Sequence, residues 1–379
     1  MNMQQSLLLV LFAFFPPHSH AFVGRNTKYH CVQALEATNR ADDAIKTLAL
    51  EEVDLDAKPA WASGGFLSDT VNLMINSPLY ALLKPLARRT LINTAEEAGI
   101  PWLERKLLLE SQQSVLEENY KMVDIQPNAY PDYYTQPFHA YDKGNLCWDA
   151  AFECESATLS MALRVWPKED LTALEAQNRL RSSFLNAVEG YLGPSACPPE
   201  RILDIGCSVG VSTFYLSDKF PNAKSIVGFD LSPYFLSVAI KRQQEELQKN
   251  ENSNYARIEY KHGNIEEPPS AWSSTEKFDL TSASFMFHEL PAEPILKILA
   301  QMVSITQSGG VIAITDNNPR SEVIMNLPPA IFTLMKSTEP HSDEYYKFGI
   351  EKALASCGCT DIKTIATDPR HRTILARVP

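Results

Sequence analysis

Apolar residues recur at intervals of three and four through the first half of the chain. The stretches ADDAIKTLALEEVDLDA, SPLYALLKPLARRTLINTAEEAG, PWLERKLLLESQQSVLEENYKMV and LTALEAQNRLRSSFLNAVEGYLG carry this spacing, which predicts one helical layer from about Leu35 to Gly190. Between them, QPNAYPDYYTQPFHAYDKGNLCWDAAFECESATLSMALRVWP is dense in Tyr, Pro, His and Trp and follows neither a helical nor a strand period. Beyond Cys197-Pro198-Pro199 the pattern changes. Short apolar runs at Arg201–Ile205, Ser225–Asp230, Arg257–Lys261, Phe278–Phe285, Gly310–Thr315, Ile362–Ala366 and Arg372–Val378 predict strands, with amphipathic stretches at Ser232–Lys249 and Pro291–Thr306 among the connections. Strands separated by helix-length connections imply an α/β fold with a doubly wound, mostly parallel seven-stranded sheet. The last two runs are close enough for a hairpin, which would set an antiparallel strand at one edge. The expected organisation is a leader over residues 1–35, a helical substrate or lid domain over 36–195 and an α/β domain over 196–379.

Composition narrows the function. Of 379 residues, 45% are hydrophobic and 21% charged, as in ordinary globular protein, and the length suffices for two domains. A net charge of -12 argues against nucleic-acid binding, which relies on clustered Lys and Arg to neutralise phosphates. A small-molecule substrate is the expected partner. Seven cysteines, scattered and without a CxxC pair, predict neither a disulfide framework nor a zinc site, and no metal is expected. The apolar run Leu7–Phe15 is far short of the roughly 20 residues that cross a bilayer, so no stable membrane insertion is expected. It is followed by two prolines and Ser19-His20-Ala21, a small-residue ending of the kind signal peptidase cuts, and then by a basic stretch without acids. This arrangement resembles the bipartite plastid-targeting leaders of algae with secondary plastids; secretion is the other reading.

In an open parallel sheet, ligands bind beyond the carboxyl ends of the strands where the topology reverses. After the first strand stands Asp204-Ile205-Gly206-Cys207-Ser208-Val209-Gly210. Gly206 suits a sharp strand-to-helix turn, and Gly210 permits close approach of helix and ligand. The spacing is G-x-x-x-G rather than the dinucleotide G-x-G-x-x-G. The second strand ends at Asp230, able to accept hydrogen bonds from both hydroxyls of a ribose. That suits NAD and any other adenosine ligand. The third strand is followed by Asn264, whose amide could read an adenine edge, and by Ile265, which could pack on its face. The fourth runs into FMFHELP.

Together LDIGCSVGVST, VGFDLSPYFL, GNIEEPP, FDLTSASFMFHELP and GGVIAITDNNP, spanning about residues 200 to 320, resemble in order and spacing the motifs of class I S-adenosylmethionine-dependent methyltransferases. The resemblance implies a reversed last strand and S-adenosyl-L-methionine as cofactor. It implies that Asp204, Gly206, Cys207 and Gly210 line its methionine part, that Asp230 and Leu231 hold the ribose, that Asn264 and Ile265 meet the adenine, and that Ser284 adjoins them. Ser208 stands where many members have glycine, and Asn264 where many have Asp. An oxidoreductase is the rival enzyme reading, and its third glycine is missing. A methyltransferase-like scaffold without turnover is the rival of another class.

Methyl transfer requires an aligned nucleophile, and an alcohol or phenol also needs a base. His288 is the candidate, with Glu289 beside it; a plainer reading makes His288 a cap for the helix beginning at Pro291. The aromatic segment supplies His139, Tyr141 and Trp148 as candidate acceptor contacts in a lid over the cofactor. O-methylation of a small molecule is the expected reaction.

Overall fold

The computed structural model describes residues 78–379 apart from 124–129, 140, 195–196, 251–252 and 328–337. The leader and the first predicted helix lie outside the described residues. Those described fall in one compact unit that begins at Asp56 and ends at Pro379.

Five longer helices precede the sheet: α1 (Pro78–Glu97), α2 (Trp102–Ser111), α3 (Gln113–Val123), α4 (Trp148–Leu163) and α5 (Ala173–Leu192). The single periodic stretch over 101–123 is two helices, interrupted at Gln112. A capping box starts α5: the Thr172 hydroxyl accepts from the Glu175 amide, and the Glu175 carboxylate accepts from the Thr172 amide. Its end is marked by Gly193 at φ 82°.

The sheet then forms from β1 (Arg201–Ile205), β2 (Ser225–Asp230), β3 (Ile258–His262), β4 (Phe278–Ser284), β5 (Thr306–Asn317), β6 (Thr360–Ala366) and β7 (His371–Arg377). Its order is β3-β2-β1-β4-β5-β7-β6, with β1 to β5 parallel and β7 antiparallel to both neighbours. The expected hairpin is present, but the reversed strand is not at the edge. It inserts between β5 and β6, so that β6 forms the rim. The burial patterns explain this: β7 is buried along almost its whole length, whereas β6 is half exposed.

Between strands run α6 (Val211–Lys219), α7 (Pro233–Lys249) and α8 (Ala292–Ile305). Alternation along the strands feeds two cores. Leu203, Ile205, Ile312 and Ile314 face one layer with Trp272, Ile298 and Leu299, and Ile202, Val311 and Ala313 face the other with Leu216 and Leu236. The second layer also takes Phe184, Leu185 and Val188 from α5. That helix of the N-terminal layer therefore serves as a cover of the sheet. Among the described residues no helix is long and apolar enough to cross a membrane.

Candidate active site

The topology reverses between β1 and β4, and the loops after these strands meet there. The turn after β1 is built on positive φ: Gly206 at 65°, Ser208 at 51° and Gly210 at 80°. The Gly206 amide donates to the Phe229 carbonyl at 2.8 Å, tying the turn to β2. Protein neighbours crowd the space a side chain would take at either glycine and would have to shift to admit one. A Cβ on Gly206 would lie 2.8 Å from Met286 Sδ, and one on Gly210 would lie 2.3 Å from Tyr260 Oη. Ser208 takes the same backbone region with a side chain, held by its amide donating to Asp230 Oδ2 at 2.8 Å. A second non-glycine residue of this kind, Phe285 at φ 58°, stands directly after β4. Such backbone persists only where surroundings over-determine it, and here two instances flank the switch point.

Two buried carboxylates frame the turn. Asp204 is fully buried; its Oδ2 accepts from Ser212 Oγ at 2.6 Å and Thr213 Oγ1 at 2.7 Å, and its Oδ1 has no partner among the described residues. Burial pushes its pKa up to about 6 against the two hydroxyls and the Arg181 charge. Asp230 accepts the Ser208 amide on one oxygen and the Ser232 amide, at 2.8 Å, on the other. Burial raises it to about 6 as well, opposed by those amides and assisted by Glu289 and Asp204. Each oxygen keeps a lone pair for a hydroxyl of a ligand. The cap of α7 comes from Ser232, whose Oγ accepts from the Phe235 amide, with Pro233 at the first helical position.

The other predicted cofactor residues are placed as follows. The Leu231 carbonyl accepts from His262 Nε2 at 2.9 Å. Asn264 spends its side-chain oxygen on the Glu266 amide in its own turn, and Ile265 packs into the core with Phe229 and Trp272. Cys207 is buried, its thiol pushed up by burial. Ser284 is buried at the end of β4, with an unpartnered hydroxyl among the described residues.

The aromatic segment lies across these strand ends. Tyr133 Oη donates to Glu266 Oε1 at 2.7 Å after β3. The Asn145 carbonyl accepts Ser232 Oγ at 2.7 Å after β2, and Asn145 Nδ2 donates to Glu289 Oε2 at 3.2 Å after β4. Cys154 Sγ sits 3.1 Å from Ser208 Oγ over the turn itself. Tyr134 lines one cleft with Glu289, and burial together with the Asp230 and Glu289 charges raises its pKa. Sequence reading named none of Tyr133, Tyr134, Asn145, Cys154 or His262; the density of Tyr in PDYYTQPFHAY was the available signal.

Of the three acceptor candidates, His139 is the one that lies near His288. Tyr141 Oη donates to Glu153 Oε2 at 2.7 Å, within a structural cluster that includes Arg88 and Lys106. Trp148 stacks among Tyr120, Phe152 and Tyr234 with centroids 4.9 to 5.9 Å away. The His139 ring lies beside Glu339 at 3.7 Å. With His288 they offer donor atoms all within 4.8 Å of one another.

His288 does not cap α8, whose N-cap residue is Pro291 and which has no side-chain cap. Its Nδ1 pairs with Asp316 Oδ1 at 2.7 Å at the end of β5. Burial disfavours the imidazolium, but Asp316, with Glu339 and Glu289 behind it, prevails and holds the pKa well above that of free histidine. The Glu289 pKa is raised as well, which for a carboxylate disfavours the charged form: burial, with the Glu339 charge, outweighs His139, His288 and Asn145. A narrow cleft beside it is lined by Tyr133, Tyr134, Phe138, Asn145 and Leu290.

Residues 203–312 match the family described as "Methyltransferase domain". This match, the strand order and the reversed seventh strand are consistent with the class I S-adenosylmethionine-dependent methyltransferase superfamily, and the match supports S-adenosylmethionine as cofactor. Among curated proteins, the chain is 27% identical over 142 residues to an uncharacterised methyltransferase of Synechocystis, covering 38% of this chain and 58% of that one. It is 29% identical over 121 residues to the demethylmenaquinone methyltransferase of Oceanobacillus iheyensis, covering 32% and 46%. The chain thus spans about half the length of these relatives. The crystal structure of a putative O-methyltransferase from Nostoc punctiforme aligns with 61% of this chain and 59% of its own, at 19% identity and a TM-score of 0.43.

Proposed function

We propose that the protein transfers the methyl group of S-adenosylmethionine to an oxygen of a small-molecule acceptor. The observation that carries this reading is the junction of two features at the switch point: Asp230 bound to the Ser208 amide of the strained turn and to the Ser232 amide, and Glu289 facing a lidded cleft. The unused lone pairs of Asp230 suit ribose hydroxyls, and the buried, unpartnered Asp204 Oδ1 and Ser284 Oγ suit a polar ligand between β1 and β4. S-adenosylmethionine, when bound, supplies a methyl group already activated on a sulfonium.

This chain's residues then have three tasks. The segment from Tyr133 to Asn145 covers the strand ends and excludes water, which leaves an oxygen nucleophile less solvated. Glu289, its pKa raised by burial and its carboxylate steadied by Asn145, takes the acceptor's proton. His288 is the cation of the site rather than its base, because its pair with Asp316 keeps it protonated at neutral pH. It steadies negative charge that develops on the acceptor oxygen.

The test is transfer of a tritiated methyl group from the cofactor to a metabolite extract separated into small-molecule and polymer fractions. The parent is expected to label the small-molecule fraction. Glu289→Gln is expected to slow labelling by roughly 10²- to 10⁴-fold while S-adenosylhomocysteine still binds. Label in polymer alone, or none despite cofactor binding, would contradict the proposal; the latter would favour a scaffold.

A further inference from the structure

Arg181 lies on α5, facing the sheet, and is only 7% exposed. Its Nε and Nη1 have no hydrogen-bond partner among the described residues. Its guanidinium carbon stands 5.1 Å from the centre of the Phe285 ring, the strained residue after β4. It borders a narrow cleft with Phe184, Leu185, Ser212, Tyr215 and Ser284. A buried guanidinium with unpaired N–H groups is costly, and burial lowers its pKa despite Tyr215, Asp204 and Cys154. Asp204 offsets only part of this cost, because its charge makes no direct contact with the guanidinium. Its Oδ2 is taken by Ser212 and Thr213, no hydrogen bond joins it to Arg181, and its Oδ1 is left unpartnered.

Two unsatisfied polar groups border this cleft, the guanidinium and the Ser284 hydroxyl, and a third, Oδ1 of Asp204, stands behind Ser212 of its lining. One cation, one neutral donor and one anion match a zwitterion, with a carboxylate for the first two and an ammonium for the third. We propose that Arg181, with Ser284, binds the α-carboxylate of the cofactor's amino-acid end while Asp204 takes its α-ammonium. This rests on the cofactor reading above and extends it to the helical layer. Arg181 lies before the matched family region, so the layer that carries the lid also reads the amino-acid end of the ligand. A guanidinium suits this task because its fork of donors meets a carboxylate in its own plane.

The test compares two nucleosides by calorimetry on the full chain. S-adenosylhomocysteine carries the amino-acid end; 5′-methylthioadenosine keeps the adenosine and the sulfur and lacks it. The parent is expected to bind the first at least tenfold more tightly. Arg181→Met is expected to weaken S-adenosylhomocysteine roughly 10- to 100-fold, the range for hydrogen bonds to a charged group, and to leave methylthioadenosine within about twofold. Arg181→Lys should recover part of the loss, and Ser284→Ala should weaken the first ligand alone. Equal weakening of both ligands, or no change in either, would overturn the assignment. A parent that binds the two nucleosides equally well would also overturn it and leave the cofactor reading standing. If the parent bound neither nucleoside, the cofactor reading itself would fall, and with it this inference.

Discussion

Asp204 and Asp230 hold their protons to about pH 6, about two units above an exposed aspartate. Between about pH 4 and pH 6 the folded state therefore binds more protons than the unfolded chain. The stability linked to each group is fully present below about pH 4 and is lost as pH rises through 6, on the order of 2 to 3 kcal/mol per group. Asp204→Asn removes one share of this loss. Urea unfolding across pH 4 to 7 should show a decline shallower than the parent's by on the order of 2 kcal/mol, and an unchanged decline would disprove the assignment. On the proposed function, a carboxylate oxygen left short of partners, such as Asp204 Oδ1, is ready for a ligand that brings its own donors.

At the scale of elements, the turn after β1 concentrates the constraint. Gly210→Ala would meet both a positive φ of 80° and Tyr260 Oη at 2.3 Å, and is expected to cost about 1 to 3 kcal/mol. Gly190 near the end of α5 has open space where its Cβ would go, and Gly190→Ala should stabilise by about 0.5 to 1 kcal/mol. Chemical denaturation of the two variants would expose a turn without strain if their effects had the same sign. The strands were legible because burial on both faces gives short apolar runs bounded by turn residues, and β1 and β2 fall at the expected bounds. By contrast α4 was not legible. It is buried on several sides, through Ala150, Phe152, Glu153, Ser156, Leu159 and Ala162, so it has no single apolar stripe to announce it. The place of β7 was hidden for another reason, since a hairpin in sequence does not say which of its strands pairs with the sheet.

Across the whole molecule, the N-terminal helices and the sheet share interior residues. Phe184, Leu185 and Val188 of α5 lie with Ile202, Leu216 and Leu280 in one cluster, and α3 contributes Val123. The motif residues Asp204, Gly206, Gly210 and Asp230 were readable because each stands at a strand end in linear order. Arg181, Tyr134, Asn145 and Glu339 come from distant segments, and only the fold brings them near. The account's central claim is that these segments assemble a site for S-adenosylmethionine. Calorimetric titration of the full chain with S-adenosylhomocysteine tests it most directly. The account predicts saturable binding at one site, weakened by about 1 to 3 kcal/mol in Asp230→Ala, the range for a buried polar partner removed. Absence of binding by the parent, or equal affinity in the two proteins, would contradict it.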